Sequence, residues 1–119
     1  MKQIIIIMSI ISMLFGTTSQ DSAIKVLAPT EYKTQIEKGK VQLVDVRTPN
    51  EYQSGHIKNA QNIDFNAPSF ASQFEKLDKE KPVYVYCRSG MRSAQASKKL
   101  VAMGFKEIYD LRGGYLNWK

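Results

Sequence analysis

The sequence has a single cysteine and a single histidine among 119 residues, which removes two common ways of stabilising a small domain. Cys87 has no second thiol with which to form an internal disulfide. One cysteine and one histidine, His56, are also too few ligands for a structural zinc site. The lone thiol is therefore buried and inert, paired with another molecule, or kept for chemistry.

The sequence also lacks a basic helix and a stripe of aromatic residues interleaved with lysine or arginine, so nucleic acid is not an expected partner. The formal net charge is +6, and it falls by one, to +5, when residues 1–20 with their single charged residue Lys2 are set aside. These charges are scattered along the chain. We interpret them mainly as solvated surface, with a weak preference for anionic small molecules.

No apolar run is long enough to be an ordinary transmembrane helix. The longest run covers residues 4–15, and as a helix it would span about 18 Å, against about 30 Å for the hydrocarbon core of a bilayer. Lys2 precedes it and small polar residues follow it, as in a secretory signal peptide. A buried first element is disfavoured because the run has no amphipathic period. We expect residues 1–20 to be a signal peptide and the protein to be exported, periplasmic or secreted. The alternative is an uncleaved membrane anchor.

The rest of the chain, residues 24–119, alternates between short apolar segments and amphipathic ones, without repeats or a linker. Strands are expected at 24–27, 41–46, 60–63, 83–86 and 107–110, and helices at about 28–38, 49–55, 69–77 and 91–103. This alternation predicts one α/β domain with a doubly wound parallel sheet. About 99 residues are enough for one modest core, and we expect a monomer.

Cys87 directly follows the most apolar predicted strand and precedes a predicted helix. In open α/β sheets, ligands bind at this edge, beyond the carboxyl ends of the strands. The residues after the thiol are candidate binding residues: Arg88, Ser89, Gly90, Met91 and Arg92. Their amides can turn inward to hold an anion, and the helix N-terminus adds positive potential. Two guanidinium groups in one loop also favour the thiolate over the thiol, so a reactive Cys87 is the preferred interpretation.

The length of this loop separates two kinds of cysteine chemistry. A cysteine-dependent phosphatase needs five residues between its cysteine and the arginine that binds the phosphate. Here Arg92 is the fifth residue after Cys87 and Ser93 is the sixth, so the loop is one residue short. A smaller loop fits a single sulfur atom on the thiol. The spacing therefore favours persulfide chemistry over phosphatase or arsenate reductase chemistry.

Three parts of the sequence resemble the rhodanese-like sulfurtransferase family. They are the segment 43–52 with 55–57 and 60–63, the strand and loop at 83–93, and the closing segment 111–115 with Trp118. One departure is Lys58-Asn59, where the family usually has proline or a similar residue followed by glycine. The resemblance implies a five-stranded parallel sheet flanked by helices. It also implies that Cys87 takes a sulfur atom from an anionic donor such as thiosulfate and passes it to cyanide or a thiol.

Three further side chains have weaker assignments. Asp45 and Arg47 lie at the end of a predicted strand, where they could support the loop of Cys87, but a structural ion pair is favoured, and Glu51 is another candidate partner for Arg47. A general-base role for His56 is disfavoured, because a thiolate that is already populated needs no base. The expected activity is that of a thiosulfate sulfurtransferase, and this mechanism implies no metal and no organic cofactor. The alternative is a rhodanese-homology module that carries sulfur with little turnover or only docks a partner.

Overall fold

Five parallel strands form one sheet in the computed structural model, which describes residues 22–118. The strand order is β1-β5-β4-β2-β3. The strands are β1 (Ile24–Leu27), β2 (Gln42–Asp45), β3 (Gln61–Asn62), β4 (Val83–Tyr86) and β5 (Ile108–Leu111). The predicted parallel α/β architecture is therefore confirmed. The predicted signal peptide at residues 1–20 lies outside the described residues.

Four α-helices connect the strands, and a short 3-10 helix follows the last strand, β5. They are α1 (Pro29–Ile36), α2 (Pro49–Gln53), α3 (Phe70–Phe74), α4 (Met91–Met103) and the 3-10 helix (Tyr115–Asn117). The bounds of α4 match the prediction. The other helices are shorter than predicted. After α3, the amides of Lys76 and Leu77 donate to carbonyls three residues back, at 3.2 and 3.0 Å, so the chain continues in turns of 3-10 type.

Alternation of side chains along β4 divides the core into two parts. Val83 and Val85 point to one face of the sheet, in a cluster with residues of α3 and α4. Tyr84 and Tyr86 point to the other face, in a cluster with Tyr32 of α1 and with residues of α2 and the closing segment. Helices thus cover both faces, as a doubly wound sheet requires.

The central position of β4 brings Cys87 to the middle of the carboxyl edge of the sheet. β4 lies between β5 and β2, and all three strands run in the same direction. The residues that follow their ends therefore meet at one edge, where ligands of open α/β sheets bind. No helix within residues 22–118 is long and apolar enough to cross a membrane.

Candidate active site

The sulfur of Cys87 lies inside the loop that joins β4 to α4. The residue is fully buried, with 0% relative exposure, and its thiol is free. Its Sγ accepts a hydrogen bond from the amide of Gly90 at 3.0 Å. The thiol also contacts the hydroxyl oxygen of Ser93 at 3.4 Å and donates to it. The loop therefore closes on the sulfur from two sides, one backbone and one side chain.

Gly90 gives the loop its shape. Its φ of 116° lies in the region that L side chains rarely adopt, and it forms the N-cap of α4. A Cβ on Gly90 would meet nothing within 4 Å, so the backbone angle, not the available space, is what requires glycine. The amides in the first turn of a helix have no intrahelical acceptor. Those of Met91 and Arg92 therefore stay available to an anion at the loop, where the helix dipole favours negative charge.

The two arginines of the loop have different surroundings. Arg88 is exposed, as are Ser89 and Met91. Arg92 forms a bidentate ion pair with Glu51 at 2.7 and 3.0 Å. This contact with Arg92 is the main reason why the pKa of Glu51 falls to about 2. The hydrogen bond to Glu51 in turn raises the pKa of Arg92, with smaller electrostatic contributions from Glu51 and Cys87.

Glu51 also belongs to the capping box of α2, which fixes its own position and so that of its partner Arg92. The Thr48 hydroxyl accepts from the Glu51 amide at 3.3 Å, and the Glu51 carboxylate accepts from the Thr48 amide at 3.1 Å. This capping box starts α2. The suggestion that Glu51 is a partner of Arg47 was wrong, because Glu51 forms its ion pair with Arg92, and Arg47 pairs with Asp45.

Asp45 and Arg47 form a buried ion pair with a closest distance of 2.6 Å. The Arg47 guanidinium also donates to the carbonyl of Gly55 at 2.6 Å and lies over the ring of Tyr115 at 4.5 Å. Asp45 is in register with Tyr86, so its side chain shares the face of the sheet opposite Cys87. The geometry is that of the structural ion pair, and the described contacts of this pair do not include the arginines of the loop.

His56 is exposed, and its described contacts do not include the thiol. Its Nδ1 is 2.8 Å from the carbonyl oxygen of Tyr52, and its ring stacks on the Tyr52 ring with centroids 3.7 Å apart. The side chain therefore makes local contacts within the turn after α2. The described contacts of Cys87 include no imidazole, so the geometry offers no cysteine–histidine pair.

The closing segment, residues 111–118, forms backbone hydrogen bonds with the start of the Cys87 loop. The amides of Tyr115 and Leu116 donate to the carbonyls of Cys87 and Arg88 at 2.8 and 3.0 Å. Gly114 has a φ of 66°, and a Cβ there would collide with the carbonyl of Arg88. The close approach of two backbones thus explains why glycine follows the last strand.

Two buried polar residues on the Cys87 face of the sheet were not identified from the sequence. Ser93 was noted only as the residue that replaces a phosphatase arginine, yet its hydroxyl contacts Sγ. Asp110, on β5, is 4% exposed, and its Oδ1 has no hydrogen-bond partner within the described part of the chain. Burial raises the pKa of Asp110 to about 6. An acid in an otherwise apolar strand that ends at the site edge was a signal in the sequence that could have identified it.

Known proteins are similar to this chain in both sequence and fold. A family model for the Rhodanese-like domain matches residues 28–119. The chain is 37% identical over 109 residues to the protein YqhL of Bacillus subtilis, with 92% of this chain and 83% of that protein covered. It is 40% identical over 84 residues to a thiosulfate sulfurtransferase, GlpE, of Coxiella burnetii, covering 71% of this chain and 77% of the relative.

A solved structure agrees with these matches. The rhodanese-like domain protein of Staphylococcus aureus superposes with a TM-score of 0.71 at 31% identity, covering 80% of this chain and 91% of that one. The family match spans most of the chain, and the loop of Cys87 lies within it. The chain therefore belongs to the rhodanese-like domain family.

Proposed function

We propose that the protein is a sulfurtransferase in which Cys87 carries the transferred sulfur. The Cys87 thiolate attacks the outer sulfur of thiosulfate, the S–S bond of the donor breaks, and sulfite leaves with the bonding electron pair. A persulfide remains on Cys87. A nucleophile, cyanide or a thiol, then attacks its outer sulfur and regenerates the thiolate. The observation that carries this proposal is the position of Sγ at a helix N-terminus, where it accepts the Gly90 amide at 3.0 Å.

The dimensions of the loop favour sulfur over phosphate as the bound group. The side chain at the sixth position after Cys87 is the Ser93 hydroxyl, which contacts Sγ itself. Arg92 is held by Glu51 rather than free to bind two oxygens of a phosphate. The loop amides that do not bond within α4 can stabilise the outer sulfur of a persulfide, as an oxyanion hole stabilises oxygen. The similarity to a protein named thiosulfate sulfurtransferase supports the same choice of donor.

Arg88 and Arg92 have separate roles in this proposal. Arg88 is exposed beside the buried thiol and attracts the anionic donor. Arg92 contributes positive potential from its fixed position against Glu51. We therefore expect Arg88→Ala to raise the KM for thiosulfate with little change in kcat. The control Lys40→Ala removes an exposed charge before β2, at the opposite edge of the sheet, and is expected to leave KM unchanged.

Mass spectrometry of the protein after thiosulfate treatment tests the proposal. We expect an adduct of one sulfur mass that cyanide removes, and no adduct on the Cys87→Ala variant. Formation of the adduct without turnover would support a sulfur carrier, the first form of the alternative module. Absence of an adduct on the folded wild-type protein would refute sulfur transfer and support a docking module.

We also propose that the protein acts outside the cytoplasm, as an exported, periplasmic or secreted monomer, because residues 1–20 have the composition of a signal peptide. Cell fractionation and N-terminal sequencing of the mature protein test this. A mature chain that starts near residue 21 supports cleavage. A membrane-bound full-length chain supports the anchor, and a cytoplasmic full-length chain refutes export. Size-exclusion chromatography tests the monomer.

A further inference from the structure

A buried acid shares the Cys87 face of the sheet, and the proposed reaction does not yet use it. We propose that Asp110 accepts the thiol proton of Cys87, by way of the Ser93 hydroxyl, when the thiolate forms. Asp110 is then a positioning residue for the proton and does not touch the sulfur donor. This inference rests on the proposed sulfur transfer at Cys87. It adds an acceptor within the protein for the thiol proton, so that the net charge of the site does not change when the thiolate forms.

The sheet places the acid and the thiol on the same face. Asp110 is in register with Val85 on the neighbouring parallel strand, so the two side chains point to the same side. Cys87 lies two residues after Val85 and points there too, in the cluster that packs against α4. Standard strand spacings put the Cα atoms of Asp110 and Cys87 roughly 8 Å apart.

Ser93, on the first turn of α4, contacts the thiol on this face of the sheet. It is fully buried, and its Oγ accepts from the Cys87 thiol at 3.4 Å. A serine hydroxyl can accept one hydrogen bond and donate another at the same time. Its donor contact to the Gly90 carbonyl is long, at 3.3 Å. The same hydroxyl also interacts with Asp110, where it acts to lower the pKa of the carboxyl. The hydroxyl that contacts the thiol therefore also affects the acid, and the proposed transfer requires it to turn from the Gly90 carbonyl and donate to Asp110.

The surroundings of Asp110 favour its protonated form. Burial raises its pKa to about 6, and the groups that oppose this rise are the Ser93 hydroxyl and the Leu111 amide. No cation is among the groups that shift it, and its Oδ1 has no partner within residues 22–118. The other titratable neighbour is Tyr32, across the sheet, whose pKa is well above its usual value because of burial, so it stays neutral.

A negative charge on the Cys87 sulfur would interact with the charged groups around it. Arg92 interacts electrostatically with Cys87, and its ion pair with Glu51 offsets part of its charge. A negative charge on the sulfur and a second one on Asp110 would repel each other in a poorly solvated space. In the proposed scheme Cys87 and Asp110 share one proton, as strongly interacting sites can. In the thiol state the proton is on sulfur and the carboxylate is charged. In the reactive state the sulfur is charged and the acid is neutral.

The proposed step balances in atoms and charge. The S–H bond of Cys87 breaks and an O–H bond forms on Asp110, through exchange at the Ser93 hydroxyl. The thiolate then forms an S–S bond to the outer sulfur of thiosulfate, and sulfite leaves as the dianion. The products are a persulfide anion and a neutral carboxylic acid. The charge held by the protein is the same before and after the step.

The test is the pH dependence of Cys87 alkylation by iodoacetamide, a neutral reagent that reports the thiolate directly. In the wild-type chain we expect two inflections. Between them the rate changes little, because the tautomer with its proton on Asp110 is a constant fraction. In Asp110→Asn the lower inflection is lost, and the rate rises about tenfold per pH unit up to a single ionisation. The control Asp78→Asn replaces an exposed aspartate and is expected to keep both inflections. A lower inflection that survives in Asp110→Asn, or a single inflection in the wild-type chain, overturns the proposal.

A second measurement does not depend on the folding of Asp110→Asn. The carboxyl carbon of Asp110 can be titrated by NMR in the wild-type chain and in Cys87→Ser. We expect the wild-type signal to show a second step that is absent in Cys87→Ser, and identical curves would overturn the coupling. Neither assay uses a sulfur donor. Coupling without a persulfide adduct would refute only the proposed function, whereas an adduct without coupling would refute only the role of Asp110.

Discussion

Replacing Asp110 with asparagine is expected to change the free energy of unfolding differently at acidic and at alkaline pH. The variant should compare more favourably with the wild-type chain at alkaline pH. The pKa of this carboxyl rises from an ordinary value of 3.8 to about 6 in the folded protein, because the side chain is buried. The folded state therefore binds more protons than the unfolded state between these two values. Stability is lost as the pH rises through this window, and about two pKa units correspond to about 3 kcal/mol. Asparagine cannot ionise, so the variant does not lose this free energy.

Urea denaturation of both proteins at pH 4 and pH 8, followed by Trp118 fluorescence, measures the effect. The substitution has a cost of its own that is common to both pH values, so the quantity of interest is the change in that cost. We expect the difference in free energy of unfolding, variant minus wild type, to become more favourable by about 2 to 3 kcal/mol between pH 4 and pH 8. The exposed control Asp78→Asn is expected to show a change below about 0.5 kcal/mol. An equal difference at both pH values would show that the folded protein does not destabilise the ionised Asp110, and would refute the reasoning.

Two further substitutions test how the site is supported. Gly114→Ala is expected to abolish persulfide loading and lower the urea midpoint, because its Cβ collides with the loop of Cys87, whereas Gly39→Ala, at an exposed position with free space, should change neither. Normal loading of a folded Gly114→Ala protein would contradict this. Arg47→Ala is expected to cost about 3 to 5 kcal/mol, because it leaves Asp45 buried without its partner. The partly exposed pair of Lys79 and Glu75 supplies the control, and Lys79→Ala should cost less than about 1 kcal/mol in the same denaturation assay.

The sequence allowed the fold to be predicted because its signals are local. Val83–Tyr86 is a run of β-branched and aromatic residues, and the helix after Gly90 ends at Gly104, which has a left-handed φ of 106°. The short helices were predicted too long, because their last turns tighten into 3-10 geometry, which leaves no clear mark in composition. The place of Cys87 at the end of a strand followed directly from these local signals.

Contacts between distant segments could not be predicted in the same way. The ion pair of Glu51 and Arg92 joins residues 41 positions apart, and it depends on how α2 lies against the loop. Nearer partners in the sequence suggested a different pairing for Glu51. Likewise, Asp110 belongs to the surroundings of Cys87 only because β5 lies beside β4 in the sheet. The order of strands is a tertiary property. The sequence therefore indicated an acid in an apolar strand, but not that this strand lies beside the one that leads to Cys87.

The two faces of the sheet separate the chemistry from the support. Tyr86 and Cys87 are adjacent in sequence, but they point to opposite faces. On the Tyr86 face, its hydroxyl accepts the Ile57 amide at 3.0 Å, and the cation of Arg47 is fully neutralised by Asp45. On the Cys87 face, the acid that we assign to the reaction has no cation among the groups within residues 22–118 that shift its pKa. A buried charge that is paired stabilises one arrangement, whereas a buried acid without a counterion can change its protonation state near neutral pH. The pairing of one aspartate and the isolation of the other therefore explain why Asp45 suits the fold and Asp110 suits the transfer of a proton.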